Sequence, residues 1–130
     1  MRRKEGAALG VYLAAQNKDL KNILASVKNA FRRAVEARLS KMKQDEERAA
    51  FLKESDITEE MDRLGFHLRN FTSKFYRAQP VGKELDFIAQ EMQREANTMG
   101  AKSCDAVISG LVVQLKSQIE KTREQLQNIE

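Results

Sequence analysis

From Leu9 the apolar positions fall at Leu13, Leu20, Leu24, Val27, Phe31, Val35, Leu39 and Met42, mostly in steps of three and four, with Gln16 interrupting the stripe. A seam repeating near every 3.5 residues is that of helices packed lengthwise, so the chain up to about residue 44 reads as one long helix. At about 1.5 Å per residue such a helix is ~50 Å long. That is more than a domain of this size is expected to bury, and pairing with another chain is predicted. Asp45-Glu46-Glu47 places acids against the positive end of a helix dipole and marks a fresh start. Asp56-Ile57-Thr58-Glu59 reads either as a capping box or as a continuation of the helix begun at Asp45. Ile57, Met61, Leu64, Leu68, Phe71 and Phe75 then alternate steps of four and three up to Gln79-Pro80, because proline disfavours helix in the residue before it. A shorter stripe of Leu85, Ile88, Met92, Ala96 and Met99 stops at Gly100. Ser103-Cys104-Asp105 opens a last helix, with Ile108, Leu111, Val112, Leu115, Ile119, Leu126 and Ile129 inward. The pattern predicts an all-α fold, an elongated helical bundle or hairpin with a long, coiled-coil-like first helix. It divides into a basic arm over residues 1–44 and a helical domain over residues 45–130.

Composition narrows the function classes. With one proline, six glycines and no tryptophan in 130 residues, turn chemistry is too sparse for a sandwich or barrel. The single Cys104 excludes an intrachain disulfide and a Cys-rich zinc site. No apolar run approaches the ~20 residues of a membrane helix, so no membrane partner is expected. Met1-Arg2-Arg3-Lys4 before the uncharged run Ala7–Ala15 resembles an export signal. That run is short, contains Gly10 and Tyr12, follows Glu5 and lacks a small-x-small cleavage pattern, so it reads as the first turns of a helix in the cytoplasm. There is no GxGxxG, P-loop, HExxH or nucleophile elbow, and no small-molecule cofactor is expected.

Charge is unevenly spread. Residues 1–44 carry eleven Lys and Arg against three acids, a net +8, and residues 45–130 carry twelve against sixteen, a net −4. A basic segment joined to an acidic one fits a polyanion partner or packing of one half on the other. Lys21, Lys28 and Arg32 share a helical face, either as a solvated surface or as a phosphate contact.

Where polar residues interrupt the seams, chemistry becomes possible. Glu60, Arg63 and His67 project together at spacings of three and four, on the border of the buried face. A carboxylate there can orient the imidazole for proton transfer, or both can ligate a metal; a packed, hydrogen-bonded histidine is the structural alternative. Glu91 and Glu95 lie four apart on one face, near where the seam continues. Like charges at that spacing repel, and Arg94 is expected to point elsewhere. The pair therefore needs either a divalent ion, Mg²⁺ or Mn²⁺ for such hard oxygen ligands, or an arginine from another helix. Cys104 reads as an ordinary helix-entry residue.

Several motifs in order carry a resemblance. Asp56-Ile-Thr-Glu-Glu-Met-Asp-Arg-Leu with His67-Leu68, Pro80-Val-Gly-Lys-Glu-Leu-Asp-Phe, Gln90-Glu-Met-Gln-Arg-Glu-Ala-Asn-Thr-Met-Gly-Ala-Lys-Ser and the ending Arg123-Glu-Gln-Leu-Gln-Asn-Ile-Glu130 are similar to segments of the bacterial YicC family. Arg3-Lys-Glu-Gly is a weaker echo. The resemblance implies a divalent-cation-dependent endoribonuclease acting on single-stranded RNA and assembling as a homo-oligomer. It also implies that this sequence corresponds to the C-terminal part, without the family's N-terminal domain. Carried over by residue, it places His67, Glu91 and Glu95 as catalytic candidates, Glu91 and Glu95 as metal ligands, and Arg63, Arg94, Lys102 and Arg123 as contacts to the RNA backbone. Gln93 replaces the family's usual asparagine, Ala101 a serine and Cys104 a small polar residue. Two other readings stand beside this one: a non-catalytic oligomerisation and RNA-binding module, and a helical scaffold for protein partners.

Overall fold

The computed structural model describes the backbone of residues 3–74 and 82–127, and side chains from Gly10 onward within those ranges. Expectations for the first nine side chains, for Phe75, Gln79 and Pro80, and for Asn128, Ile129 and Glu130 lie outside the described residues. Five helices are described: α1 (Arg3–Ser40), α2 (Asp45–Ser55), α3 (Thr58–Lys74), α4 (Gly82–Lys102) and α5 (Ala106–Gln127). Four of them form a ring in which α1 touches α3 and α5, and α4 touches α3 and α5. Neighbours run antiparallel: Asn17 meets Leu68 while Leu24 lies beside Gly65, Glu60 meets Lys102 while Arg63 meets Glu95, and Asp86 meets Arg123 while Gly100 lies against Val112.

The seams close on one another. Leu13, Leu20, Leu24 and Val27 of α1 share one core with Leu64 and Leu68 of α3, Leu85 and Met92 of α4, and Leu115 and Ile119 of α5. Leu20 and Val27 are fully buried. The expectation that α1 needs another chain to cover its seam is thereby corrected. A bundle interior gathers apolar stripes from three partners, so a long helix is buried over the stretch that runs alongside them. Past the end of that stretch Phe31, Val35, Leu39 and Met42 are only half-buried. The interrupting Gln16 is held across the interface, accepting from the Gln118 amide and donating to the Tyr12 hydroxyl at 2.6 Å.

Helix ends follow local chemistry. Arg48 Nη1 donates to the carbonyls of Leu39 at 3.1 Å and Met42 at 3.3 Å, satisfying acceptors at the C-terminus of α1. Asp105 Oδ1 accepts from the Ile108 N–H at 2.8 Å and caps α5. α4 runs two residues past Gly100, to Lys102. The chain breaks between α2 and α3, which decides between the two readings of Asp56-Glu59. Asp56 Oδ1 accepts from the Thr58 N–H at 2.9 Å and the Thr58 hydroxyl at 2.6 Å. Glu59 does not reach back; it lies 3.5 Å from Arg63 Nη1.

These Thr58 hydrogen bonds hold the Asp56 carboxyl below its ordinary value of 3.8. A depressed carboxyl stabilises the fold above its ordinary value and loses that contribution as pH falls through the folded one. Asp56→Ala is expected to cost about 1 kcal/mol at neutral pH. The difference from the parent should shrink toward pH 3 in denaturant titrations; a pH-independent difference would show that the carboxylate itself contributes nothing.

Candidate functional site

The polar residues of α3 and α4 sort onto two flanks of α4. On the α3 side stands a compact ion cluster. Glu60, from the first turn of α3, has a side chain only 3% exposed and accepts from Lys102 Nζ at 2.8 Å. Arg63, one turn on, places Nη2 3.7 Å from Glu60 Oε1 and donates from Nε to both oxygens of Glu95, at 2.9 Å each. The neighbouring carboxylates hold Arg63 and Lys102 in their charged forms more firmly than in water, chiefly through the hydrogen bonds to Glu95 and Glu60 respectively. One oxygen of Glu60, Oε2, is buried without a hydrogen-bond partner.

This geometry resolves the question left by the Glu91–Glu95 pair. Of the two partners the pair required, the arginine from another helix is the one in place, and it is Arg63. The expectation that Arg94 points elsewhere is corrected, since its Nη2 lies 3.6 Å from Glu91 Oε1. Residues one turn apart on a helix approach each other even when one is exposed. With both glutamates facing guanidinium groups, and no group of three or more His, Cys, Asp or Glu among the described residues placed to hold an ion, the donor set does not fit a divalent metal. A cation at Glu95 would have to displace Arg63.

On the α5 side of α4, Gln90, Gln93, Arg94 and Asn97 line an open groove of about 310 Å³ with Arg123 of α5. Arg123 is set in place by Asp86, which accepts from its Nε at 3.1 Å, and by Glu120 at 3.6 Å. Asp86 also accepts from the Gln90 amide at 2.9 Å. Gln93 Oε1 is buried and has no hydrogen-bond partner. The groove therefore presents guanidinium donors and amide groups of both polarities. That combination suits a phosphate and the hydrogen-bonding edge of a base.

The residues singled out from sequence thus separate. Arg94, beside Glu91, and Arg123, beside Asp86 and Glu120, meet in the groove, whereas Arg63 and Lys102 face Glu60 and Glu95 on the α3 side. The ring of half-buried His67 packs edge-to-face with Phe66, 5.7 Å between centroids, while the Glu60 carboxylate pairs with Lys102 and Arg63 and not with the imidazole. Lys21 and Lys28 line a second open groove, of about 330 Å³, with Arg69 of α3, while Arg32 donates to Asn29 at 3.5 Å. Burial pushes the Cys104 thiol up, helped by Asp105, which leaves it a poor nucleophile at neutral pH. Asp86, Gln90 and Gln93 were not picked out as site residues. Gln90, Gln93 and Asn97 at spacings of three and four were the available signal, but amides on a helix surface look the same whether or not a neighbouring helix supplies an arginine.

Residues 13–130 match the family model described as endoribonuclease YicC-like, C-terminal. A protein named probable endoribonuclease YicC from Clostridioides difficile (strain 630) is 36% identical over 147 aligned residues, which take in all of this chain and 50% of that relative. Another of the same name, from Haemophilus influenzae (strain ATCC 51907 / DSM 11121 / KW20 / Rd), is 45% identical over 75 residues, covering 58% of this chain and 26% of the relative. The chain spans half or less of the length of these curated relatives. With the match running through α1 to α5, the chain belongs to the YicC-like endoribonuclease family, by that family's C-terminal domain.

Proposed function

We propose that this helical bundle is the RNA-holding part of an endoribonuclease that cuts single-stranded RNA, with the groove between α4 and α5 as its contact surface. The observation that carries this reading is the convergence of Arg94 and Arg123 with Gln90, Gln93 and Asn97 in one groove. Guanidinium groups bind phosphate without regard to sequence, and amides reach base edges that only an unpaired strand presents freely. Holding RNA is assigned to this chain and cutting it is not. Among the described residues His67 has no carboxylate partner to relay a proton, and Glu91 and Glu95 are matched by arginines. A divalent-cation requirement, which the YicC resemblance implies, belongs to the same proposal with ligands other than these two glutamates.

The test is binding of the chain to an unstructured RNA across a salt series. Affinity should fall steeply with salt, and Arg94→Ala should lower the slope of log affinity against log salt by about 0.7, the share of one phosphate contact on a single strand. Wild-type chain that ignores RNA at low salt would overturn the proposal. The same RNA should remain intact when the chain is incubated with Mn²⁺.

A further inference from the structure

On α4 the exposed stripe bordering the groove contains a residue that polar chemistry does not explain. Phe87 is 62% exposed. It stands three residues before Gln90, seven before Arg94 and ten before Asn97, so all four share one side of the helix. Lys83, a turn earlier, extends the same side. Phe66, the other strongly exposed phenylalanine among the described residues, lies on α3 and has the His67 ring against it. Phe87 has no ring or cation partner among the described residues. Its flank toward α3 carries Glu91, whose carboxylate faces Arg94 at 3.6 Å; its flank toward α5 carries the groove.

An apolar ring that size costs free energy in water unless something covers it. The company it keeps names the occupant. A second protein surface would be met by further apolar residues, but Phe87 stands between Lys83 and Gln90, with Arg94 and Asn97 farther along the same side and Glu84 and Glu91, paired with Lys74 and Arg94, on the flank toward α3. The ring, amides and cations of that side match a nucleotide, with a flat base for the ring, hydrogen-bonding edges for the amides and a phosphate for the cations.

We infer that Phe87 is a stacking platform for an unpaired RNA base whose flanking phosphate is held by Arg94 and Arg123. This deepens the function proposed above and rests on it. It makes strand state the basis of selectivity, because a paired base has no open face to offer the ring. No bond is made or broken by Phe87; it is a positioning residue that fixes where along the strand the backbone lies.

The chain has no tryptophan, so Phe87→Trp introduces a unique fluorophore at the platform. Titrating that variant with oligouridine should quench its emission as binding saturates. Phe87→Ala and Phe87→Leu should each weaken oligouridine binding about five-fold or more, with the salt slope unchanged, whereas Arg94→Ala lowers the slope. Equal affinity of Phe87→Ala and wild type, or an unquenched Phe87→Trp that still binds, would overturn the inference while leaving RNA binding intact. Loss of a wild-type oligomer on sedimentation of Phe87→Ala would also overturn it, by assigning the ring to a second copy of the chain. Absence of RNA binding by the wild type would instead sink the underlying function.

Discussion

Leu20→Ala is expected to destabilise the entire bundle by about 2–5 kcal/mol, the range for emptying a buried leucine site. Leu20 is fully buried in the core shared by α1, α3, α4 and α5. A domain of this size has only about 5–15 kcal/mol in total, so the loss is a large fraction of its stability and should lower the melting temperature by about 10 °C. The informative feature is the form of the transition. If α1 is part of the bundle, helix loss followed by circular dichroism remains a single cooperative step in the variant. If residues 1–44 were an arm, the variant would lose α1 in a separate early step while the remainder melted near the parent temperature. Lys18→Ala, on the exposed side of the same helix, is the control and should stay within about 0.5 kcal/mol of the parent.

Arg63→Ala is expected to be the most damaging substitution among the exposed and half-exposed charged residues. It removes the guanidinium that faces Glu59, Glu60 and Glu95. Glu95, whose side chain is 13% exposed, then loses its arginine and buried Glu60 keeps only Lys102; a largely buried carboxylate that loses a cation costs far more than a surface ion pair contributes. Glu95→Gln removes one charge from the same cluster and leaves no surplus carboxylate, so it should be milder. The same melts decide the role of Glu91 and Glu95. A ligand that binds only the folded state raises its melting temperature, and Mn²⁺ is expected to leave wild-type chain unshifted. A Mn²⁺-dependent rise abolished by Glu95→Gln would restore these glutamates as metal ligands and remove the structural account of Arg63.

Three partners on one guanidinium also explain why the cluster misled a reading by spacing. Glu91 and Glu95 one turn apart signal that a positive charge is needed, because repulsion along a helix is a local property. Which positive charge supplies it is not local. An arginine 32 residues away, at the matching level of an antiparallel helix, and a metal ion are equivalent to the sequence pattern. Glu60 shows the same limit: its place at the border of the α3 seam was visible, its pairing with Lys102 42 residues on was not.

By itself the chain determined its helices, because step sizes of three and four, acids at helix starts and the Asp56 and Asp105 caps act through neighbours within a turn or two. It also determined which face of each helix turns inward, since burial follows the apolar stripe. Only the tertiary structure decided that α1 is buried within its own bundle, that Arg63 and Lys102 neutralise the acidic side of α4, and that Arg94 and Arg123 meet across a groove beside exposed Phe87. Those outcomes depend on the level at which antiparallel helices stand against one another. Helix level is set by the packing of the whole core, and no short stretch of sequence encodes it.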